Sequence, residues 1–342
     1  MRMLIRRLPP SLRVFSVVLS LLAAGAAFAT PRRAPEHPTA SRPASNRSQK
    51  EGAQGFFYPP PKRSRGLTSP DSLLQQIETI SRDAQGRVGA AAMVVETGGS
   101  VVFHRGQRFP MQSVYKLPIG MAVLHDVDAG VLRLDQKVTV APSDLVPREL
   151  HSPIRDEHPE GARLTVRELL RYAVEESDGT ASDVLLRLAG GPQRVTRYLR
   201  RLGVRGVVVA TSERLMASGD QVQYRNWAAP EAMAGLLRLL QQGKSVSGPA
   251  RTLLFQYMTR TKTFPSRIKG MLPAATVVAH KTGSSGVSNG LARATNDVGL
   301  ITMPNGRHLA VVVFVSDSRA DDATRDAVIA RIARAAWDHA SK

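Results

Sequence analysis

Ser113-Val-Tyr-Lys116 sets a hydroxyl and an amine three positions apart, which on a helix puts both on one face. An amine or ammonium beside a hydroxyl is the arrangement that activates a serine as a nucleophile. The same pattern recurs at Ser266-Arg-Ile-Lys269, so spacing alone decides nothing. Context separates the two. Lys116 runs into an apolar, helix-compatible stretch (Leu117, Ile119, Met121, Val123, Leu124), whereas Ser266 follows Pro265 in an irregular segment. A serine at a helix start also has free backbone N–H groups and the positive end of the dipole beside it, suited to a developing oxyanion. Lys281-Thr282-Gly283 is a second candidate. It ends the apolar run Val277-Val278-Ala279-His280, and offers a cation, a hydroxyl and a glycine that lets a ligand approach the backbone. Ser177-Asp178-Gly179 is a third. Taken alone it reads equally well as a helix cap or a turn.

The elements that must position these residues follow from periodicity. Ser69-Pro70-Asp71 reads as a cap for a first helix with Leu73, Leu74, Ile77 and Ile80 on one face. Residues 87–97, the pair Gly98-Gly99 and Val101–Phe103 read as a hairpin. Helical patterns occupy 113–126, 166–175, 180–189, 192–202, 229–242 and 248–259. Strand-like runs return at 276–280, 291–303 and 308–315, the last two joined by the hairpin signal Asn305-Gly306. A final helix spans about 321–339, with Val328, Ile332, Ala335 and Ala336 inward and Arg331 and Arg334 outward. Strands at both ends with helices between them predict an α+β fold: an antiparallel sheet from both termini, flanked by helices, with an inserted all-α subdomain. The α/β part takes about 71–108 and 260–342, and the all-α part about 109–259.

Composition frames the rest. The chain has 342 residues and no cysteine, which excludes disulfides, thiolate metal sites and a lipid-bearing N-terminal cysteine. Residues 1–29 read as a signal peptide: Arg2, Arg6, Arg7 and Arg13, an apolar run from Val14 to Phe28, then Ala27-Phe28-Ala29. The alternative is an uncleaved anchor, and the export route, general or twin-arginine, stays open. Residues 30–70 are rich in Pro, Arg and Ser and read as a disordered linker. Net charge is +19, but residues 71–342 carry 35 basic and 26 acidic side chains, a net +9. More than half of the excess therefore lies outside the expected fold. An exported chain rarely meets nucleic acid, so the expected partner of the basic linker is an acidic envelope polymer, touched weakly. Arginine-rich codon bias is the plainer alternative. His104, His125, His158, His308 and His339 lack metal-ligand spacing, and no Gly-x-Gly-x-x-Gly or Walker-type loop is present. No metal or cofactor is implied, and a monomer is expected.

Ser-x-x-Lys, Ser-Asp-x and Lys-Thr-Gly, in this order across residues 71–342, resemble the serine β-lactamases and penicillin-binding proteins. Asp220-Gln-Val-Gln-Tyr224, Asn226-Trp227, Val278-Ala-His280 and Thr295-Asn-Asp297 are similar to the PER-type, extended-spectrum branch of class A. The resemblance implies an exported, periplasmic or secreted enzyme that opens penicillins and cephalosporins through an acyl-enzyme. Ser113 is then the nucleophile, Lys116 its partner, and Ser177 the proton shuttle to the ring nitrogen. Lys281 and Thr282 face the substrate carboxylate, with Gly283 beside them, and Ser113 and Ser284 supply oxyanion N–H groups. Glu213 holds the hydrolytic water, Arg267 reinforces carboxylate binding, and His151 takes an aromatic-wall position. The base in acylation is either Lys116 or Glu213 through water. Two departures stand out. Gly179 replaces an asparagine, which removes a donor to substrate and widens the cleft, and Ala217 replaces an asparagine that helps to hold the water. The rival readings are a D,D-peptidase or penicillin-binding protein and a catalytically impaired envelope-binding homologue.

Overall fold

A computed structural model describes residues 70–342. The expected signal peptide (1–29) and linker (30–70) lie outside the described residues, apart from Pro70, which opens the first helix. The chain runs α1 (Pro70–Ser81), β1 (Arg87–Val94), β2 (Ser100–Phe103), β3 (Phe109–Pro110), α2 (Lys116–Asp128), β4 (Lys137–Val140), α3 (Pro153–Glu157) and β5 (Ala162–Thr165). It continues α4 (Val166–Val174), α5 (Gly179–Leu188), α6 (Pro192–Arg201), β6 (Val207–Val208), α7 (Glu213–Met216), β7 (Trp227–Ala228), α8 (Pro230–Gln241) and α9 (Gly248–Arg260). The last part is β8 (Val278–Ser284), β9 (Val287–Ser288), β10 (Leu291–Ala292), β11 (Thr295–Thr302), β12 (His308–Ser316) and α10 (Asp322–Ala340).

The main sheet has the order β2-β1-β12-β11-β8 and is antiparallel throughout, so both ends of the described chain build it, as periodicity predicts. Residues alternate between two apolar cores. Leu309, Val311, Val313 and Val315 of β12 face the core shared with α1 and α10, while Ala310, Val312 and Phe314 face the core shared with the helical block. A strand covered on both faces reads as a continuous apolar run, and 308–315 has that composition. The hairpin predicted at Asn305-Gly306 joins β11 to β12. On α1, Leu73 and Ile77 are buried, but Leu74, expected inward, is 37% exposed because the buried stripe is narrower than four positions.

Residues 109–259, expected as an all-α part, also carry five short strands, β3 to β7. Within that stretch α8 lies against β1, β11 and β12. Its apolar side chains Met233, Leu236, Leu237 and Leu240 are what cover the second face of the sheet. Register explains the small strands: β3 pairs with β7, and β7 with β6. This three-stranded patch leads the chain from the main sheet into the turn that bears Ser113.

Candidate active site

Ser113, the expected nucleophile, is fixed by what precedes it. Met111 donates its N–H to the Asn226 carbonyl at 2.9 Å, and Asn296 Nδ2 donates to the carbonyls of Pro110 (2.8 Å) and Met111 (3.0 Å). Gln112 then takes φ 46°, a left-handed conformation unusual for its residue type. Ser113 stands in a single 3-10 turn, and α2 begins at Lys116 rather than at Ser113 as the sequence suggested. Lys116 is 1% exposed, and its Nζ lies 3.0 Å from Ser113 Oγ, 2.6 Å from the Ser177 carbonyl and 3.0 Å from Glu213 Oε1. Three acceptors match the three protons of an ammonium.

Strand β8 closes on this turn from the sheet edge. A Cβ on Gly283 would meet the Met111 carbonyl oxygen at 2.5 Å and Ser113 N at 3.1 Å. Only glycine allows that approach of β8 to the turn that bears Ser113. Lys281 is fully buried; its Nζ donates to Ser177 Oγ at 2.9 Å and to the Thr282 carbonyl at 3.0 Å. Burial pushes its pKa well below the usual lysine range, and the nearby Lys116 charge pushes the same way. Thr282 Oγ1 pairs with Thr263 Oγ1 at 2.6 Å.

Ser177 links the two lysines: its carbonyl accepts from Lys116 and its hydroxyl from Lys281, with the backbone held at φ 62°. Asp178 caps α5 through the Ala181 N–H and ties in the start of α3 through the Ile154 N–H, both at 2.7 Å. Burial raises its pKa despite these donors. Gly179 donates its N–H to the His151 carbonyl at 2.9 Å, and the exposed His151 ring meets the Glu176 carbonyl. A Cβ on Gly179 would lie 3.1 Å from Glu213 Cγ. The space expected as a wider cleft is thus partly bordered by the glutamate side chain.

Glu213 begins the four-residue helix α7, capped by Ser212. Asp183 of α5 accepts the N–H groups of Glu213 (2.7 Å) and Arg214 (3.0 Å). Burial raises the Asp183 pKa, and the Glu213 charge adds to that. Glu213 is 7% exposed, and its carboxylate accepts from Lys116 on one oxygen and from Tyr115 Oη, at 3.0 Å, on the other. Ala217 is exposed.

Arg267 stands apart from the substrate role that the resemblance implies. It is 2% exposed and stacks on Phe264; Nε meets Asp326 at 2.7 Å, and Nη1 meets the carbonyls of Gly283 (3.1 Å) and Asn296 (3.0 Å). These contacts brace β8 and β11. The geometry thus gathers Ser113, Lys116, Ser177, Glu213 and Lys281 into one hydrogen-bonded group, with Thr282, Gly283 and Ser284 following on β8, and with the buried Gly179 against Glu213 and joined through its N–H to the exposed His151. Sequence reasoning gives no role to Tyr115, Asp183, Asn296 or Thr263, although Tyr115 and Asn296 lie inside the motifs it quotes. A tyrosine inside Ser-x-x-Lys is a readable signal, because a buried phenol needs a polar partner. Asp183 and Thr263 carry no such signal.

The β-lactamase enzyme family model matches residues 72–340. Curated relatives include the extended-spectrum β-lactamase PER-1 of Pseudomonas aeruginosa, 39% identical over 265 residues and covering 78% of this chain and 86% of that protein. β-Lactamase VEB-1 of the same organism is 38% identical over 271 residues, covering 79% and 90%. Among solved structures, a β-lactamase from Chitinophaga pinensis is 45% identical with a TM-score of 0.76, covering 78% of this chain and 98% of the other. The TLA-3 extended-spectrum β-lactamase is 37% identical with a TM-score of 0.78, covering 80% and 100%. Antiparallel sheet, helical block and the full length of the match agree: the chain belongs to the β-lactamase enzyme family, in its class A branch.

Proposed function

We propose that this protein hydrolyses the β-lactam amide of penicillins and cephalosporins through an ester on Ser113, released by water that Glu213 deprotonates. The supporting observation is the position of Lys116 Nζ, 3.0 Å from both Ser113 Oγ and Glu213 Oε1. That amine lies between the group that attacks and the group that clears the product. Ser113 Oγ gives up its proton and bonds to the ring carbonyl carbon, and the oxyanion forms against the Ser113 and Ser284 N–H groups. The C–N bond then breaks, and Ser177, hydrogen-bonded to Lys281, passes a proton to the ring nitrogen and regains the one that Ser113 gave up, which frees the base again. Two routes take the Ser113 proton: a Lys116 amine that has first yielded a proton to Glu213, or Glu213 itself through water. In the second half a water loses its proton to Glu213 and attacks the ester carbon; the C–O bond breaks, and Ser113 regains its proton. Lys281 and Thr282 receive the substrate carboxylate, with Arg267 bracing the strand behind them. His151 borders the acylamido side, and Gly179 leaves that side without a donor.

The proposal extends to the rest of the chain. Residues 1–29 direct export, residues 30–70 tether the enzyme and touch acidic envelope polymers weakly, and the catalytic domain (71–342) acts as a monomer on a small β-lactam, with no nucleic-acid partner. Nitrocefin with purified protein tests the chemistry. Steady turnover, with a transient mass increase that Ser113→Ala abolishes, is expected. One equivalent captured without turnover identifies a penicillin-binding protein instead, and no capture identifies an envelope-binding homologue.

A further inference from the structure

The carboxylate of Glu213 has no side-chain support from its own helix. Arg214 turns away to the carbonyls of Ser143 and Leu145, and Ala217, one turn on, is exposed and apolar. What reaches the carboxylate comes from elsewhere. Tyr115, two residues after the nucleophile and fully buried, donates its hydroxyl to Glu213 Oε2 at 3.0 Å. The phenol oxygen in turn accepts from Ser182 Oγ on α5, also at 3.0 Å. This is a directed chain: serine hydroxyl to phenol, phenol to carboxylate. The free oxygen of a carboxylate on a short loop helix would otherwise be able to rotate about its own bonds. With Oε1 on Lys116 and Oε2 on Tyr115, both ends of the carboxylate are pinned, and its plane is set by two groups of the same helix start that carries Ser113.

We propose that Tyr115, oriented by Ser182, is a positioning residue for deacylation that aims the Glu213 carboxylate at the hydrolytic water. This rests on the reading of Glu213 as the deacylating base. The hydroxyl stays protonated in this role, since burial and the facing Glu213 charge hold its pKa well above the usual phenol range. Its work is geometric: a general base misaligned by a fraction of a hydrogen-bond length loses much of its rate advantage. The same hydroxyl does not touch Ser113, so acylation through Lys116 is spared.

Tyr115→Phe removes one oxygen and keeps the ring, and Ser182→Ala removes the upstream donor. Full-length protein is mixed with one equivalent of a penicillin, and the adduct is followed by intact-mass spectrometry beside steady-state kinetics. In Tyr115→Phe the decay of the acyl-enzyme slows about tenfold, and kcat and KM fall together so that kcat/KM holds within about twofold. Ser182→Ala moves decay in the same direction by about threefold. Decay at the wild-type rate in Tyr115→Phe, or a fall in kcat/KM without adduct accumulation, overturns the inference. Glu213→Gln, run alongside, keeps the two claims apart. If its adduct decays normally, the base is misassigned; if its adduct persists while Tyr115→Phe is unaffected, the tyrosine alone loses its role.

Discussion

The halves of the site proposed to acylate and to deacylate are anchored by different kinds of structure. Ser113 and Lys116 sit where a hydrogen-bonded turn enters α2, and Lys281 lies on a strand with a continuous ladder to β11. Backbone pairing fixes these groups, and side chains only finish the placement. Glu213 has a four-residue helix and no ladder, and its main chain is held through Asp183 and the Ser212 cap. Its carboxylate is held through Lys116 and Tyr115. The difference teaches that one half should fail when backbone spacing is disturbed and the other when a single side-chain hydrogen bond is lost.

The largest expected effect isolates the second half entirely. Glu213→Ala leaves Ser113, Lys116 and the oxyanion N–H groups in place and removes the deacylating base, so acylation through Lys116 proceeds and the ester persists. The adduct's decay, read by intact mass, should slow about 10²- to 10⁴-fold, the span general-base catalysis supplies. Rapid turnover in this variant would place the base elsewhere and dissolve the contrast.

Next comes the backbone half. Gly283→Ala puts a methyl 2.5 Å from the Met111 carbonyl oxygen, so either β8 or the Ser113 turn must move. Displaced oxyanion donors cost about 10²- to 10³-fold in kcat where one is lost, so kcat/KM for nitrocefin should fall into that range. Gly235→Ala is the control: its Cβ meets nothing within 4 Å on α8, and it should leave kinetics unchanged and raise stability by about 0.4–1 kcal/mol. A Gly283→Ala enzyme as active as that control would mean the close approach is not needed.

The same contrast explains what was legible in the sequence. The sheet, α10 and most of the helices obey clean periods, and Lys281 could be placed because it ends a readable strand. Ser113 reads as the first residue of a helix but stands in the 3-10 turn ahead of it, and the left-handed Gln112 that turns it leaves no trace in residue type. The strands β3 to β7 are two to four residues long and too short to generate a period, which is why 109–259 read as all-helical. Arg267 was visible as a motif match, but the Asp326 and carbonyl contacts that occupy it come from distant segments. Asp183 was illegible for the same reason: its partners lie 30 residues on, and no local pattern announces them.

Asp183 gives a smaller break in the side-chain half. Asp183→Ala leaves the N–H groups of Glu213 and Arg214 without their acceptor, which costs about 1–3 kcal/mol for each one left buried and unpaired. The helix α7 loosens while α2 and β8 keep their ladders. Acyl-enzyme decay should slow roughly tenfold with kcat/KM nearly intact, in keeping with a misaligned base. Equal losses in both steps would show that the two halves are coupled through α5.

The smallest effect comes from pH and concerns the cation of the backbone half. Burial, with Lys116 adding its charge, depresses the Lys281 pKa below the ordinary 10.5, so the folded protein sheds this proton before the unfolded chain does. Below the depressed value both states are protonated and the cost of burying the charge is fully present. Between that value and 10.5 the unfolded chain binds more protons, so this group's contribution to stability rises with pH. Binding runs the opposite way, because a neutral Lys281 no longer attracts the substrate carboxylate. Calorimetric titration of Ser113→Ala with a penicillin separates binding from chemistry, and Kd should rise severalfold with a midpoint below 10.5. The arginine behind the strand is taken up by Asp326 and the carbonyls of Gly283 and Asn296. A Kd that stays flat to pH 10.5 would therefore remove the carboxylate from Lys281 and leave its anchoring to the N–H groups and hydroxyls of β8.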